Sequence, residues 1–163
     1  VSRVLAFVIA IATLLAPCLA SAQARPRLTP LTPVQVARAL IQGHRDALGK
    51  RVKGTRLSVA WAQVAVETGR GAKARGFNLG NVGGGRSSFA SAREGAAAYW
   101  RAVAQCKSAF AYFDAGDARG AALQLGRCGY YTADPSVYAD GMSKLREEFN
   151  RTVWVKVRSQ LGV

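Results

Sequence analysis

Ser58-Val59-Ala60-Trp61-Ala62-Gln63-Val64-Ala65-Val66-Glu67, followed by Thr68-Gly69-Arg70-Gly71, is the stretch that decides how the chain is read. Nothing between Arg56 and Glu67 carries a charge, and apolar side chains occupy every turn. A helix that is apolar on all sides is a buried one, so a central helix is expected, starting near Ser58. Gly69 and Gly71 should end it, because glycine readily takes the left-handed backbone that stops a helix. Glu67 then stands at the C-terminal end, where the helix dipole disfavours a carboxylate. Apolar surroundings disfavour the charged form as well. A carboxyl group that keeps its proton near neutral pH is what a glycosidase needs as its general acid. The plainer alternative is an ordinary ion pair with Arg56, Arg70 or Lys73.

Toward the N-terminus, a basic loop from Lys50 to Arg56 separates this helix from an earlier one. Thr32-Pro33-Val34-Gln35 marks the start of that helix: Thr32 caps, Pro33 takes the first helical position, and Gln35 completes a capping box. Val34, Ala37, Leu40, Ile41 and Leu48 follow at helical spacing. His44 falls near this stripe and reads as a packed histidine rather than a ligand. Residues 25–31 (RPRLTPL) form an extended lead-in.

Toward the C-terminus, Gly76 to Gly85 (GFNLGNVGGG) is a glycine-rich loop that leaves little room for a β-hairpin. Ser91 and Glu94 make a second capping box, opening a helix through Tyr99 and Val103 to about Cys106. Asp117 caps a shorter helix from Ala118 to Leu125, and Asp134-Pro135 starts another that reaches about Phe149. Valines 153, 155 and 157 fit either a short strand or a fraying helix, and both readings stay open. The sum is an all-α domain over residues 32–150, of about five helices, with a C-terminal tail at 151–163.

Residues 1–24 have the layout of a secretory signal peptide: Arg3, an apolar run Val4 to Leu15, then small residues ending Ala20-Ser21-Ala22 or Ala22-Gln23-Ala24. A membrane anchor is the alternative, but the run holds 12 residues where a span needs about 20. Pro17 argues against acylation at Cys18. A periplasmic or secreted protein is therefore expected, without stable membrane insertion after cleavage. The formal charge of +14 drops by one when Arg3 leaves. So basic a surface seeks a polyanion, for which the bacterial wall is the simplest candidate; the arginine-rich composition of a GC-rich genome is the alternative. No nucleic-acid motif is present. Of three cysteines, Cys106 and Cys128 remain, and an oxidising compartment makes a disulfide the natural expectation, with free buried thiols as the alternative. His44 is the sole histidine, so no metal site, cofactor site or Cys-His catalytic pair is expected.

Three short blocks bear on function. Ala62-Gln63-Val64-Ala65-Val66-Glu67-Thr68-Gly69-Arg70-Gly71 matches the pattern A-Q-x-x-x-E-S/T-G-x-G. Phe77-Asn78-Leu79-Gly80-Asn81-Val82 matches N-L-F-G/N-I/V with one residue altered, and Gly129-Tyr130-Tyr131-Thr132-Ala133-Asp134-Pro135-Ser136-Val137-Tyr138-Ala139 matches G-Y-x-T-D-P-x-x-Y-A with one residue extra. From Leu57 to about Leu145 the chain thus resembles the family 73 glycoside hydrolases, the glucosaminidase domains of bacterial autolysins and flagellar muramidases. The resemblance implies a lysozyme-like fold and hydrolysis of the β-1,4 bond between N-acetylglucosamine and N-acetylmuramic acid. It makes peptidoglycan glycan strands the partner, and an envelope-spanning assembly a machine that such cleavage would serve.

By position, the resemblance makes Glu67 the general acid and puts Asn78 at the cleft floor. Asn81 joins the substrate-binding groups, and Tyr130, Tyr131 and Tyr138 line the cleft. Core packing with a hydrogen-bonded hydroxyl is the alternative for each tyrosine. Arg70 stands where the family usually has Trp, and is expected to bind a muramyl peptide carboxylate. Many members carry a second carboxylate on a hairpin; here only Val82 to Ser91 fills that place, and the nearby Glu94 belongs to a capping box. One-glutamate catalysis is the resulting expectation, assisted by the substrate acetamido group or a tyrosine-held water. A lytic transglycosylase fits one glutamate equally well, although its usual motif after the glutamate is missing. A wall-binding module without catalysis and an antimicrobial-like cationic surface protein complete the alternatives.

Overall fold

The computed structural model describes residues 25–161. The signal-peptide reading of residues 1–24 lies outside the described residues. The fold is all-α. Six helices of nine residues or more carry it: α1 (Pro33–Leu48), α2 (Gly54–Thr68), α3 (Ala92–Gln105), α4 (Lys107–Ala115), α5 (Ala118–Arg127) and α6 (Pro135–Glu148). A wide turn (Phe149–Val153) and the short α7 (Trp154–Val157) follow. Among the described residues there is no strand, only isolated bridges that join Arg75 to Leu28 and to Asn78.

Helix starts follow the cap chemistry where caps exist. Gln35 N–H donates to Thr32 Oγ1 at 3.3 Å, and Thr32 N–H donates to Gln35 Oε1 at 2.8 Å, closing the capping box of α1. Ser91 and Asp117 accept from the backbone of Glu94 and Gly120, and so start α3 and α5. Helix α2 starts a turn earlier than the expected Ser58, at Gly54, with no side-chain cap. Contacts with α4 hold that turn in place of a cap: Thr55 Oγ1 donates to the Asp114 carbonyl at 2.9 Å, and Arg56 pairs with the Asp114 carboxylate. Helix α4 itself has no counterpart in the sequence reading; Ala109 and Phe113, four apart, are its buried face.

Helix α2 is the central element, as its apolar run implies: Leu57 through Ala65 are all buried. It packs against α1, α4, α5 and α6. Trp61 and Trp100 are fully buried, and each indole N–H finds a carbonyl of α1, at Pro33 (3.0 Å) and Leu40 (2.9 Å). The rings can thus be buried without an unpaired donor. Gly43 lets α1 and α3 meet; a Cβ there would sit 2.6 Å from the Ala97 nitrogen.

The C-terminal segment is helical, which excludes the strand reading. Val153 and Val157 are buried while Val155 is 56% exposed, the pattern of one helical face. The core therefore continues past residue 150. The lead-in docks beside the exit of α2 through Thr29 N–H to Ala74 O (2.8 Å) and Leu31 N–H to Gly71 O (3.1 Å). Cys106 and Cys128 form a disulfide. It ties the junction of α3 and α4 to the end of α5, immediately before the tyrosine-rich segment that leads into α6.

Candidate functional site

Glu67 lies in the last turn of α2, partly exposed, and Gly69 ends the helix in the left-handed conformation. Both carboxylate oxygens have donors. The Tyr138 hydroxyl donates to Oε1 at 2.7 Å, and Asn81 Nδ2 donates to Oε2 at 2.9 Å. The purely apolar surroundings expected from the sequence are thus corrected: segments distant in the chain bring polar neighbours to this helix end.

Each neighbour is placed by local chemistry. Tyr138 belongs to the first turn of α6, where Asp134 Oδ1 accepts from the N–H groups of Ser136 (2.8 Å) and Val137 (3.1 Å) and Pro135 takes the first helical position. Asn81 sits in the glycine-rich loop with a left-handed backbone (φ 52°), a conformation asparagine tolerates better than most residues. Asn78 shapes that loop: its amide donates to Val82 O (2.8 Å), and its carbonyl accepts from Val82 N–H (2.8 Å). Asn78 is buried and is not part of the cleft wall, so its place is beneath the loop rather than in contact with a ligand. The Tyr130 hydroxyl donates to Gly80 O at 2.8 Å. Gly80 makes room for this, since a Cβ there would meet a Tyr99 ring carbon at 2.4 Å. Tyr131 stacks on Tyr138 with ring centroids 3.8 Å apart and planes 15° from parallel.

These groups surround a cleft of ≈ 740 Å³ whose walls include Val66, Glu67, Asn81, Tyr130, Tyr131 and Tyr138. Glu67 is the only charged residue among those lining it. Burial, above all, pushes the Tyr138 and Tyr130 hydroxyls well above the usual tyrosine range, and the negative Glu67 adds to the effect. Both therefore remain protonated donors across the ordinary pH range.

The other carboxylates are accounted for. Of nine acidic side chains, Asp46, Asp114, Asp140 and Glu148 pair with arginines. Asp117 and Asp134 cap helices, and Glu94 accepts from Ala90 N–H just before α3. Glu147 is exposed on α6, outside the cleft wall. Glu67 makes no salt bridge among the described residues: Arg56 is taken by Asp114 and Arg70 by Glu148. Arg70 accordingly stands apart from the cleft, its guanidinium held at 2.6 Å by both Glu148 oxygens.

Two residues of this site escaped the sequence reading. The Tyr99 hydroxyl donates to Gln63 Oε1 at 2.8 Å, and both side chains are fully buried. Gln63 is the one amide in an otherwise apolar run, four residues before Glu67 and so on the same helical face. That polar interruption was the available signal. Together the groups offer one carboxyl group with a neutral donor on each of its oxygens, and tyrosine walls suited to a sugar face. The lining contains no second carboxylate, and no cluster of metal-ligating side chains occurs among the described residues. No helix among them is long and apolar enough to cross a membrane. Family models, curated proteins and solved structures yield no match to this chain.

Proposed function

We propose that this chain is an exported peptidoglycan glycosidase of the lysozyme-like kind, cleaving the β-1,4 bond between N-acetylglucosamine and N-acetylmuramic acid with Glu67 as general acid. One observation carries the reading: a single carboxyl group, with no cationic partner among the described residues, opens onto a tyrosine-walled cleft. The three sequence blocks support it, because one residue of each, Glu67, Asn81 and Tyr138, meets the others at this cleft. The net charge of +14 fits a protein that works on an anionic wall.

Glu67 gives its proton to the glycosidic oxygen as the bond to the anomeric carbon breaks. Water adds at that carbon, and the proton it loses returns to the carboxylate. Two-carboxylate schemes place the second group about 5–9.5 Å from the first, and Glu94, the acid next in sequence, is committed to the start of α3. The acetamido group of the substrate, or a water held by a tyrosine, takes that part. The same lack of a second carboxylate favours one further reading, a lytic transglycosylase, in which the muramyl hydroxyl attacks in place of water.

Digestion of purified peptidoglycan with the mature protein, followed by mass spectrometry of the new chain ends, tests the proposal. Reducing N-acetylglucosamine ends are the expected product; anhydromuramic ends would identify the transglycosylase. Glu67→Gln should lower the rate by about 10²- to 10⁴-fold, the range of general acid catalysis. Equal digestion by wild type and Glu67→Gln, or none by either, defeats the enzymatic reading.

A further inference from the structure

Among the described lysines and arginines, all are exposed but two, Arg56 and Arg146. Arg56 is buried, and the Asp114 carboxylate answers its charge. Arg146 is half-buried in the last turn of α6, and nothing answers it. It makes no salt bridge among the described residues, and its Nε is buried without a hydrogen-bond partner. A cation drawn out of water with no partner is costly, and such a group calls for a reason. Arg146 lines a separate cavity of ≈ 520 Å³, together with Gly54, Thr55, Ser58, Asn150 and Trp154. No acidic side chain is part of that wall. Two glycines seat its largest side chains: a Cβ at Gly116 would lie 3.0 Å from Arg146 Nη2, and one at Gly54 would lie 2.8 Å from the Trp154 indole. Asn150 belongs to the wide turn after α6, and Trp154 follows it directly; single wide turns of this kind are frequent at functional sites.

We propose that this cavity binds a small organic carboxylate, with the Arg146 guanidinium on its charge, Asn150 as a second donor and Trp154 against its apolar body. Thr55 Oγ1 and Ser58 Oγ already donate to the Asp114 and Thr55 carbonyls, which leaves Arg146 and the Asn150 amide to meet a ligand. A planar guanidinium matches a planar carboxylate through two parallel hydrogen bonds. Arg146 is the one charged group of the wall, so it balances a single negative charge and not the two of a phosphate. The positive end of the α2 dipole lies at the same cavity, since Gly54 and Thr55 open that helix without a side-chain cap, and it favours the same sign of ligand. The volume falls within the range of small-molecule sites. The cavity stands about 20 Å along α2 from Glu67 and serves independently of that residue.

The test titrates the ¹⁵N-labelled protein with acetyl-D-alanyl-D-alanine, a model for the free end of a wall peptide, with benzoate, and with inorganic phosphate. The Trp154 indole N–H and the Gly54 and Thr55 amide resonances should shift saturably with at least one carboxylate, at a Kd of about 1 mM or below. Tighter binding of the dipeptide assigns the site to wall peptides, and tighter binding of benzoate assigns it to free aromatic acids; either supports the carboxylate site. The matching amides, acetyl-D-alanyl-D-alanine amide and benzamide, should leave the resonances in place. Arg146→Gln should weaken carboxylate binding about 10- to 100-fold. Without ligand its melting temperature should match or exceed that of the wild type, because an unanswered charge has been removed. Glu67→Gln should bind as the wild type does. Should Arg146→Gln fail to fold, Asn150→Ala, at an exposed position, should weaken binding several-fold. No saturable shift with either carboxylate overturns the proposal. So do equal shifts with the amides, phosphate binding as tight as that of either carboxylate, or undiminished binding in Arg146→Gln.

Discussion

Helix α2 carries a polar cluster at each end, and the two are built on opposite plans. At the N-terminal end, Arg56 donates from Nε and Nη2 to the two Asp114 oxygens at 2.8 and 2.7 Å. Its Nη1 lies 3.1 Å from His44 Nε2, and its guanidinium stands 4.5 Å above the Phe110 ring. His44 Nδ1 completes the set, 2.9 Å from the Lys50 carbonyl. A charge is answered there by a fixed opposite charge. At the C-terminal end, Glu67 is met by a phenol and an amide, both neutral, and opens on a cleft. Among the described residues, no ion pair holds that carboxyl group. The first cluster is closed by an ion pair; the second has none and faces the cleft.

The two ends of α2 should differ most in how far they depend on the disulfide. The Cys106–Cys128 bridge closes a 22-residue separation, and its loss should cost about 3 kcal/mol on the loop-closure account. It anchors the chain just before Gly129-Tyr130-Tyr131, so its removal should loosen the cleft wall more than the Arg56 cluster. Cys106→Ala/Cys128→Ala should lower the urea midpoint, and hydrogen exchange should quicken at residues 129–138 before residues 54–58. Equal loosening at both ends would show that the two clusters are not independently supported.

How much of this could be seen in the sequence depends on how local the cause was. Helices α1, α3, α5 and α6 announce themselves through Thr32, Ser91, Asp117 and Asp134, because a cap and its target lie within three residues of each other. Helix α4 was missed because Cys106 supplies no side-chain cap and the break from α3 is a single residue. The first turn of α2 was missed because Asp114, sixty positions away in round terms, does the holding. At the site, Glu67 and the tyrosines were legible as a motif. Asn78 and Asn81 were not separable, since only the fold of the loop turns one inward and the other to the cleft. Gln63 showed only as a polar interruption of an apolar run, its partner Tyr99 lying 36 residues on, and the Glu148 partner of Arg70 lay 78 residues away along the chain.

A smaller effect is expected from opening the ion pair at the N-terminal end. The Asp114 side chain is 33% exposed and that of Arg56 8%, so losing the pair should cost less than the 3–5 kcal/mol typical of full burial, about 2 kcal/mol. Asp114→Ala should therefore show a clear drop in unfolding free energy by urea titration. Peptidoglycan digestion at a permissive temperature should be unchanged. A loss of digestion matching that of Glu67→Gln would erase the distinction between the clusters.

The histidine in the same cluster adds a pH dependence. Burial, foremost, holds His44 below its ordinary value, and the positive Arg56 and Lys50 act the same way; the hydrogen bond to Lys50 O and the negative Asp114 oppose it. The Trp100 ring packs edge-on at 4.8 Å. The unfolded chain thus takes up a proton at a higher pH than the folded one, so stability is greatest above about pH 6.5 and declines as pH falls below it. Because His44 is the only histidine, the interval from about pH 7 to 5 reports chiefly on this residue. Urea midpoints at pH 7.5 and 5.0 should differ in the wild type and converge in His44→Gln; an equal difference in both would place the titrating group elsewhere.

The smallest effect should come from Arg70, the residue nearest Glu67 in sequence that could have served either plan. Its side chain is 49% exposed and that of Glu148 28%. Glu148, whose carboxyl the Arg70 hydrogen bonds hold below the usual range, therefore gains a contact worth less than about 1 kcal/mol. Arg70 itself has a left-handed backbone (φ 62°), just past the end of α2, and is not part of the cleft wall. Arg70→Ala should accordingly shift the urea midpoint only slightly and leave KM for peptidoglycan fragments unaltered. A several-fold rise in KM would mean that the guanidinium leaves Glu148 to meet a substrate carboxylate. The cationic partner that Glu67 lacks would then be supplied to the ligand instead.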